Sequence, residues 1–288
     1  MVKALLSFFL LCSFSYAQNL SFNSLDTKVE VALDPLLVKI KTFLDEDTYT
    51  NNSEFINVIF DPKSDFYKNG RVDVVKVVQT LKENGLLKLY FDKPKELHLN
   101  FKTSGSPLFF VKIMGDTLRN IGYYRYVTTA SHLDPTEFTW NISLRSEYAT
   151  DPLVLEEELL KCGCHVIDIQ RESKTEWTYI VDISNAYLHV RVLKSQEKRI
   201  LKRSLYAHWL NVSQIKRLKI DSARGNRWHP YISYYDEALH LLKVLKKNRT
   251  YFTIQLKIPE NAKYIKVSDL YTLKNIRNEL TLFPSGAR

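Results

Sequence analysis

The chain has 288 residues, of which 45% are hydrophobic and 25% charged, the balance of a folded protein rather than a disordered one. Its 8 glycines and 9 prolines exclude collagen-like and low-complexity classes, and the length accommodates two domains of ordinary size. Beyond the extreme N-terminus no apolar run approaches the ~20 residues needed to span a bilayer, so an integral membrane protein is not expected.

Residues 1–17 read as a secretory leader. Lys3 gives the positive start, Ala4 to about Phe14 form the apolar core, and Ser15-Tyr16-Ala17 places small residues at −3 and −1 of a cut before Gln18. Export to a periplasm follows as the expected location. Asn-x-Ser/Thr triplets stand at Asn19, Asn51, Asn141, Asn211 and Asn248 and would matter only in a glycosylating secretory route. Cleavage removes Cys12 and leaves Cys162 and Cys164, too few for a disulfide framework.

Asp34 to Leu44 carries a helix start signal and helical apolar spacing, while Asp45-Glu46-Asp47 reads as a helix end or loop. Val72 to Glu83 is a second amphipathic helix with Gly85 placed to stop it, followed by β runs at Leu86–Phe91 and Leu97–Phe101. Pro107 to Asn120 is a third helix, stopped at Gly122, followed by strands Tyr123–Thr129 and Phe138–Leu144. Asp151-Pro152 opens another helix, ended by Gly163, followed by strands His165–Gln170 and Trp177–Ile183. The pattern helix, glycine, strand, turn, strand thus recurs. From Leu97 to Gln170 the order is β-α-β-β-α-β, a ferredoxin-like succession with one sheet face under helices and one open.

After Ser184 strand-like runs dominate, at Tyr187–Leu193, Ile200–Leu210, Ile215–Ile220, Tyr231–Tyr235, His240–Leu245, Tyr251–Ile258 and Tyr264–Val267. Their spacing and turn signals predict an antiparallel β-sandwich. Charge changes at the same place. Residues 188–288 hold 21 Lys and Arg against 7 Asp and Glu, while residues 1–187 are net acidic. The expected fold class is α+β: a leader at 1–17, an α+β interaction region at 18–187, and a basic β-sandwich domain at 188–288.

Candidate sites follow from residue chemistry. Cys162-Gly163-Cys164-His165 reads chiefly as packing, with Cys162 under the helix end, Gly163 ending the helix and Cys164 starting a buried strand. A short-loop disulfide between Cys162 and Cys164, or a thiol whose pKa the histidine lowers, is the alternative, and the further ligands of a metal centre are lacking. Glu156-Glu157-Glu158 reads as a solvated helix face. No Walker loop, G-x-G-x-x-G or G-x-S-x-G occurs, so no nucleotide, cofactor, metal or catalytic residue is expected. Arg224, Asn226, Arg227, Trp228, Tyr231 and Tyr234 surround a loop-to-strand junction whose rings and directed donors suit a binding loop, with core filling as the competing role of Trp228 and the tyrosines. Lys216, Arg217 and Lys219 head a set of basic clusters that suit a polyanion, with protection of sheet edges as the competing role.

The helix-plus-glycine units ending at Gly85, Gly122 and Gly163 resemble the small exported α+β modules of envelope assemblies, of ferredoxin-like or ring-building type. The strand spacing of the last third and its Trp228–Tyr235 junction resemble a galactose-binding-like or jelly-roll accessory domain. The resemblance implies a non-enzymatic periplasmic scaffold of a secretion or motility assembly. Its basic sandwich would contact an envelope protein complex or an anionic glycan, and nucleic acid is not an expected partner. The alternative is a carbohydrate-active or thiol-active periplasmic enzyme.

Overall fold

The computed structural model describes residues 34–288, so the leader reading, the Gln18 start and Asn19 lie outside the described residues. Helices α1 (Pro35–Phe43), α2 (Glu46–Asn51) and α3 (Ser53–Ile59) come first, then a 3-10 turn and the short strands β1 (Tyr67–Lys68) and β2 (Arg71–Val72). The acidic stretch after Leu44, expected as a helix end or loop, starts a helix instead. Asp45 accepts the Thr48 N–H at 2.9 Å and caps α2, which is a local signal that charge counting hides.

Helix α4 (Val74–Glu83) buries Val74, Val75, Val77, Val78 and Leu81 and is capped by Asp73. After it come β3 (Tyr90–Thr103), α5 (Pro107–Asn120), β4 (Val127–Leu133), β5 (Phe138–Tyr148), α6 (Pro152–Leu160), β6 (His165–Arg171) and β7 (Glu176–Asp182). The three glycine stops act alike. Gly85, Gly122 and Gly163 all have φ between 71° and 102°, a region glycine enters without steric cost. In each case the next N–H reaches back to a carbonyl in the last helical turn: Leu86 to Leu81, Tyr123 to Leu118, Cys164 to Leu159. These are Schellman ends, and they turn each chain back towards the sheet.

The strands form a five-stranded sheet in the order β4-β5-β3-β7-β6. Leu97, Leu99 and Phe101 of β3, Phe138, Trp140, Ile142 and Leu144 of β5, and Trp177, Tyr179 and Val181 of β7 are buried among the helices. Phe43, Trp177, Tyr179, Phe101 and Trp140 make a continuous row of ring contacts at 5.7–6.4 Å. The opposite face carries His98, Asn100, Lys102, Thr139 and Ser143 and is polar, as alternation requires.

The ferredoxin-like repeat is not what forms. Leu86–Phe91 and Leu97–Phe101 are not a hairpin. Tyr90 to Thr103 is one strand, with Lys93-Pro94 absorbed where its register with β5 shifts between Tyr90 and Lys95. A ferredoxin-like sheet would also set His165–Gln170 beside β3. Here β7 takes that slot, parallel to β3, and β6 moves to the edge. Pairing with β3 gives the Trp177/Tyr179/Val181 face full burial, which an edge position would not.

The remainder is β8 (Arg199–Leu201), β9 (His208–Asn211), β10 (Ile215–Ser222), β11 (Pro230–Tyr235), β12 (Leu241–Lys246), β13 (Thr253–Lys257), β14 (Tyr264–Asp269) and β15 (Leu280–Ala287). They build two four-stranded antiparallel sheets, β13-β10-β15-β8 and β12-β11-β14-β9. Leu218, Ile220, Trp228, Ile232, Tyr234, Ile265, Val267, Leu280 and Leu282 fill a common core, a sandwich-like arrangement. Tyr187–Leu193 forms only an isolated bridge at Val192, and Ile200–Leu210 divides into β8 and β9. Strand β15 has no counterpart among the expected strands because Pro284 and Gly286 interrupt its pattern. It tolerates Pro284 because β8 pairs only with Leu280, Thr281 and Leu282.

Residues Pro35–Arg288 form one compact unit. Leu188, Leu239 and Tyr264 belong to the core of the five-stranded sheet, with Trp209 and Tyr235 packed against it. The Tyr264 hydroxyl accepts the Leu188 N–H, and Lys112 of α5 lies 5.3 Å from the Trp209 ring centre. Among the described residues no helix is long and apolar enough to cross a membrane.

Candidate functional site

Strand β10 alternates Leu218 and Ile220 into the core with Arg217, Lys219 and Asp221 outward. Its neighbours extend the outward row. Arg217 stands opposite Lys257 of β13 and Ser285 of β15, and Lys219 stands opposite Gln255 and Phe283. The Lys219 ammonium is 5.2 Å from the Phe283 ring centre and that of Lys198 is 5.8 Å away, so two cations flank one ring. Segment 193–198 is tied there by the Gln196 N–H to the Pro284 carbonyl. Asp221 is the acid of this face. It bonds Lys219 at 2.9 Å and Thr253 at 2.8 Å; burial pushes its pKa up, but the bonds from Lys219 and Thr253 outweigh it and hold it below 3.8.

The Arg217–Lys257 pairing is informative. Like charges directly opposite on neighbouring strands disfavour pairing. Edge protection explains Lys257, because β13 is an outer strand, but not Arg217 on the inner strand β10. The face can therefore offer Arg217 and Lys257, beside the cations over Phe283, to an anionic surface.

The junction residues separate differently. Trp228 is fully buried and its indole N–H donates to the Ser268 carbonyl at 2.9 Å. Tyr234 is buried as well, and burial pushes its phenol up to about 12. Asn226 is buried and fully engaged. Its amide donates to Ser222 Oγ and the Glu279 carbonyl, and its oxygen accepts the Asn278 N–H. The expected binding roles of Trp228, Tyr234 and Asn226 are thus corrected: they hold the 223–229 loop and the core, where only apolar packing and internal partners reach them. Arg224 and Arg227 are exposed at the end of the sheets. Tyr231 lies on the outer face of the β11 sheet, under Lys246 at 5.5 Å. Lys216, Arg217 and Lys219 belong to the other sheet, so the two candidate groups do not converge on one site.

Asp269 anchors this loop. Its buried carboxylate accepts the N–H groups of His229, Tyr271 and Thr272 and the Asn275 amide, at 2.7–3.0 Å. Burial pushes its pKa up, but these four bonds outweigh burial and hold it below 3.8.

Cys162 and Cys164 are both free. Cys164 is buried with its Sγ 3.7 Å from the Cys162 carbonyl, and burial raises its pKa to about 12. Burial also raises Cys162. The buried, structural reading of Cys164 holds and the alternative of a thiol lowered by His165 does not: the thiols are poor nucleophiles at neutral pH. His165 faces Glu156 instead, at 3.5 Å. Glu156, expected on a solvated face, is buried and accepts the Val166 N–H at 2.6 Å, joining α6 to β6. Among the described residues no group of three His, Cys, Asp or Glu side chains can hold a metal ion.

Lys257 and Phe283 lie outside the candidate set read from sequence. Phe283 sits in the unread strand β15, where the alternation Leu280-Thr281-Leu282-Phe283 was the available signal. No family model, curated protein or solved structure matches the chain.

Proposed function

We propose that this chain is a non-enzymatic, exported interaction protein that contacts an anionic partner through the outer face of the β10 sheet. The leader-like residues 1–17 support export to a periplasm, and an accessory role in an envelope assembly follows as the biological setting. The observation that carries the reading is the outward row in which Arg217 is set directly against Lys257, next to Lys198 and the Asp221-paired Lys219 over the Phe283 ring. Cations placed against each other across an inner and an outer strand gain when an acidic partner shares them. An acidic protein face or an acidic glycan both fit this chemistry.

The test places a photo-activated cross-linker at Gln255, opposite Lys219 and two residues from Lys257 on the same outward row, and treats envelope fractions at low and high salt. Capture that weakens with salt, as screening shortens from about 10 Å at 0.1 M to about 3 Å at 1 M, supports the reading. Loss of capture in Arg217→Glu/Lys257→Glu with an unchanged melting temperature supports it further. Capture indifferent to salt and to both changes overturns it.

A further inference from the structure

A second basic site lies in the net acidic first part, far from β10 in sequence. The segment between α4 and β3, the start of β3, the α1–α2 junction and the end of β6 enclose a cleft of about 890 Å³. Lys88, Lys93, Lys95, Arg171 and Lys174 line it, against Asp45 and Asp92. Asp45 is already committed to capping α2. None of these five cations forms an ion pair among the described residues. Elsewhere in the same region Lys39, Lys41, Lys82, Lys102, Lys112, Arg119 and Lys161 are paired with carboxylates. The cations without such a pair, Lys68, Arg71, Lys76, Arg125 and Arg145, line other surfaces, and among the described residues only this cleft gathers five. In a region with surplus acid, unpaired cations gathered in one concavity need an explanation that solubility does not give.

Arg171 sharpens the case. It is half-buried, donates one guanidinium N–H to the Phe43 carbonyl, and lies 5.7 Å from the Trp177 ring centre. Its Nε is buried with no hydrogen-bond partner. Burial pushes the Arg171 pKa down, only partly offset by Asp45. A half-buried cation costs free energy that an anion in the cleft recovers. The guanidinium and the ammonium groups lining the cleft match a phosphate in charge, the arginine through its remaining N–H groups and the lysines as point charges. Phe55 and Tyr90, 42% and 54% exposed, line the same cleft and offer area to the organic part of a ligand. The volume is that of a small-molecule site.

We infer that this cleft binds a phosphate-bearing ligand of small-molecule size, with Arg171 and Lys88, Lys93, Lys95 and Lys174 neutralising the phosphate. Such chemistry occurs in soluble phosphate esters and in lipid headgroups. The inference is independent of the β10 face.

The test titrates the full chain with inorganic pyrophosphate, with glucose 6-phosphate against glucose, and with phosphatidylcholine vesicles with and without phosphatidic acid. Calorimetry and the fluorescence of Trp177, read against a Trp177→Phe control, report binding. Saturable binding of the soluble phosphates but not of glucose supports the site and assigns a soluble ligand. Binding only to vesicles with phosphatidic acid supports it and assigns a headgroup. The decisive variant is Lys88→Glu/Lys93→Glu/Lys174→Glu, since all three side chains are exposed and Arg171 also holds α1. It should lose about tenfold or more in affinity, while Arg217→Glu/Lys257→Glu binds as the parent does. Absence of saturable binding to every phosphate probe, or binding that the triple variant leaves unchanged, overturns the inference.

Discussion

Replacing Trp228 by alanine separates a core role from a binding role in one experiment. The side chain is fully buried among Ile232, Val267 and Leu280, and its N–H meets the Ser268 carbonyl. Truncating a buried tryptophan costs about 3–5 kcal/mol, and leaving its carbonyl partner short of a donor adds about 1–3 kcal/mol. For a unit of this size each kcal/mol lowers the melting temperature by roughly 2–4 °C, so a fall on the order of 10–30 °C is expected. Trp228→Phe keeps much of the apolar volume and loses the hydrogen bond, so it should fall by a smaller amount. Thermal unfolding followed by circular dichroism in the far and near ultraviolet measures both. Below the melting transition, capture of the acidic partner through Gln255 should persist in Trp228→Phe. A Trp228→Ala protein that melts with the parent but no longer captures its partner would refute the argument and restore the indole as a contact surface.

Asp269→Asn should be less stable at neutral pH, because its carboxylate accepts four donors that an amide satisfies poorly. Its lowered folded pKa contributes stability that is complete above 3.8 and is lost as pH falls through the folded value, so the gap between parent and variant in urea melts should close in acid. Reducing agent should leave the melting temperature unchanged, and iodoacetamide at neutral pH should label Cys164 only after unfolding; rapid labelling of the native protein would contradict its burial. A fragment 188–288 should keep the Trp228 core by near-ultraviolet dichroism yet bind a hydrophobic dye, since Leu188, Leu239 and Tyr264 lose their cover; a fragment with no fixed tertiary signal would show that the sandwich-like part depends on the first core.

Local signals were legible without the fold. The Schellman ends at Gly85, Gly122 and Gly163, the cap at Asp151 and the alternation of Ile215–Ile220 each depend on residues within a few positions, and local geometry decides them. The change from mixed elements to strands near residue 190, with its change of charge, was equally readable, because composition reports what each stretch must bury. Strand order was not. Whether β6 or β7 lies beside β3 depends on which face gains more burial against helices distant in sequence, a comparison no local pattern contains. The same holds for the sites. Trp228 and Tyr231 stand three residues apart and look alike as binding groups, yet the strand's entry into the core buries one and leaves the other on an outer face. Lys257 faces Arg217, and Arg171 shares a cleft with Lys88, across 40 and 83 positions of chain. Sequence determined which residues carry charge and which are apolar. Tertiary pairing alone decided which charges share a surface, because electrostatic and hydrophobic interactions act through distances of a few ångströms, whatever the separation along the chain.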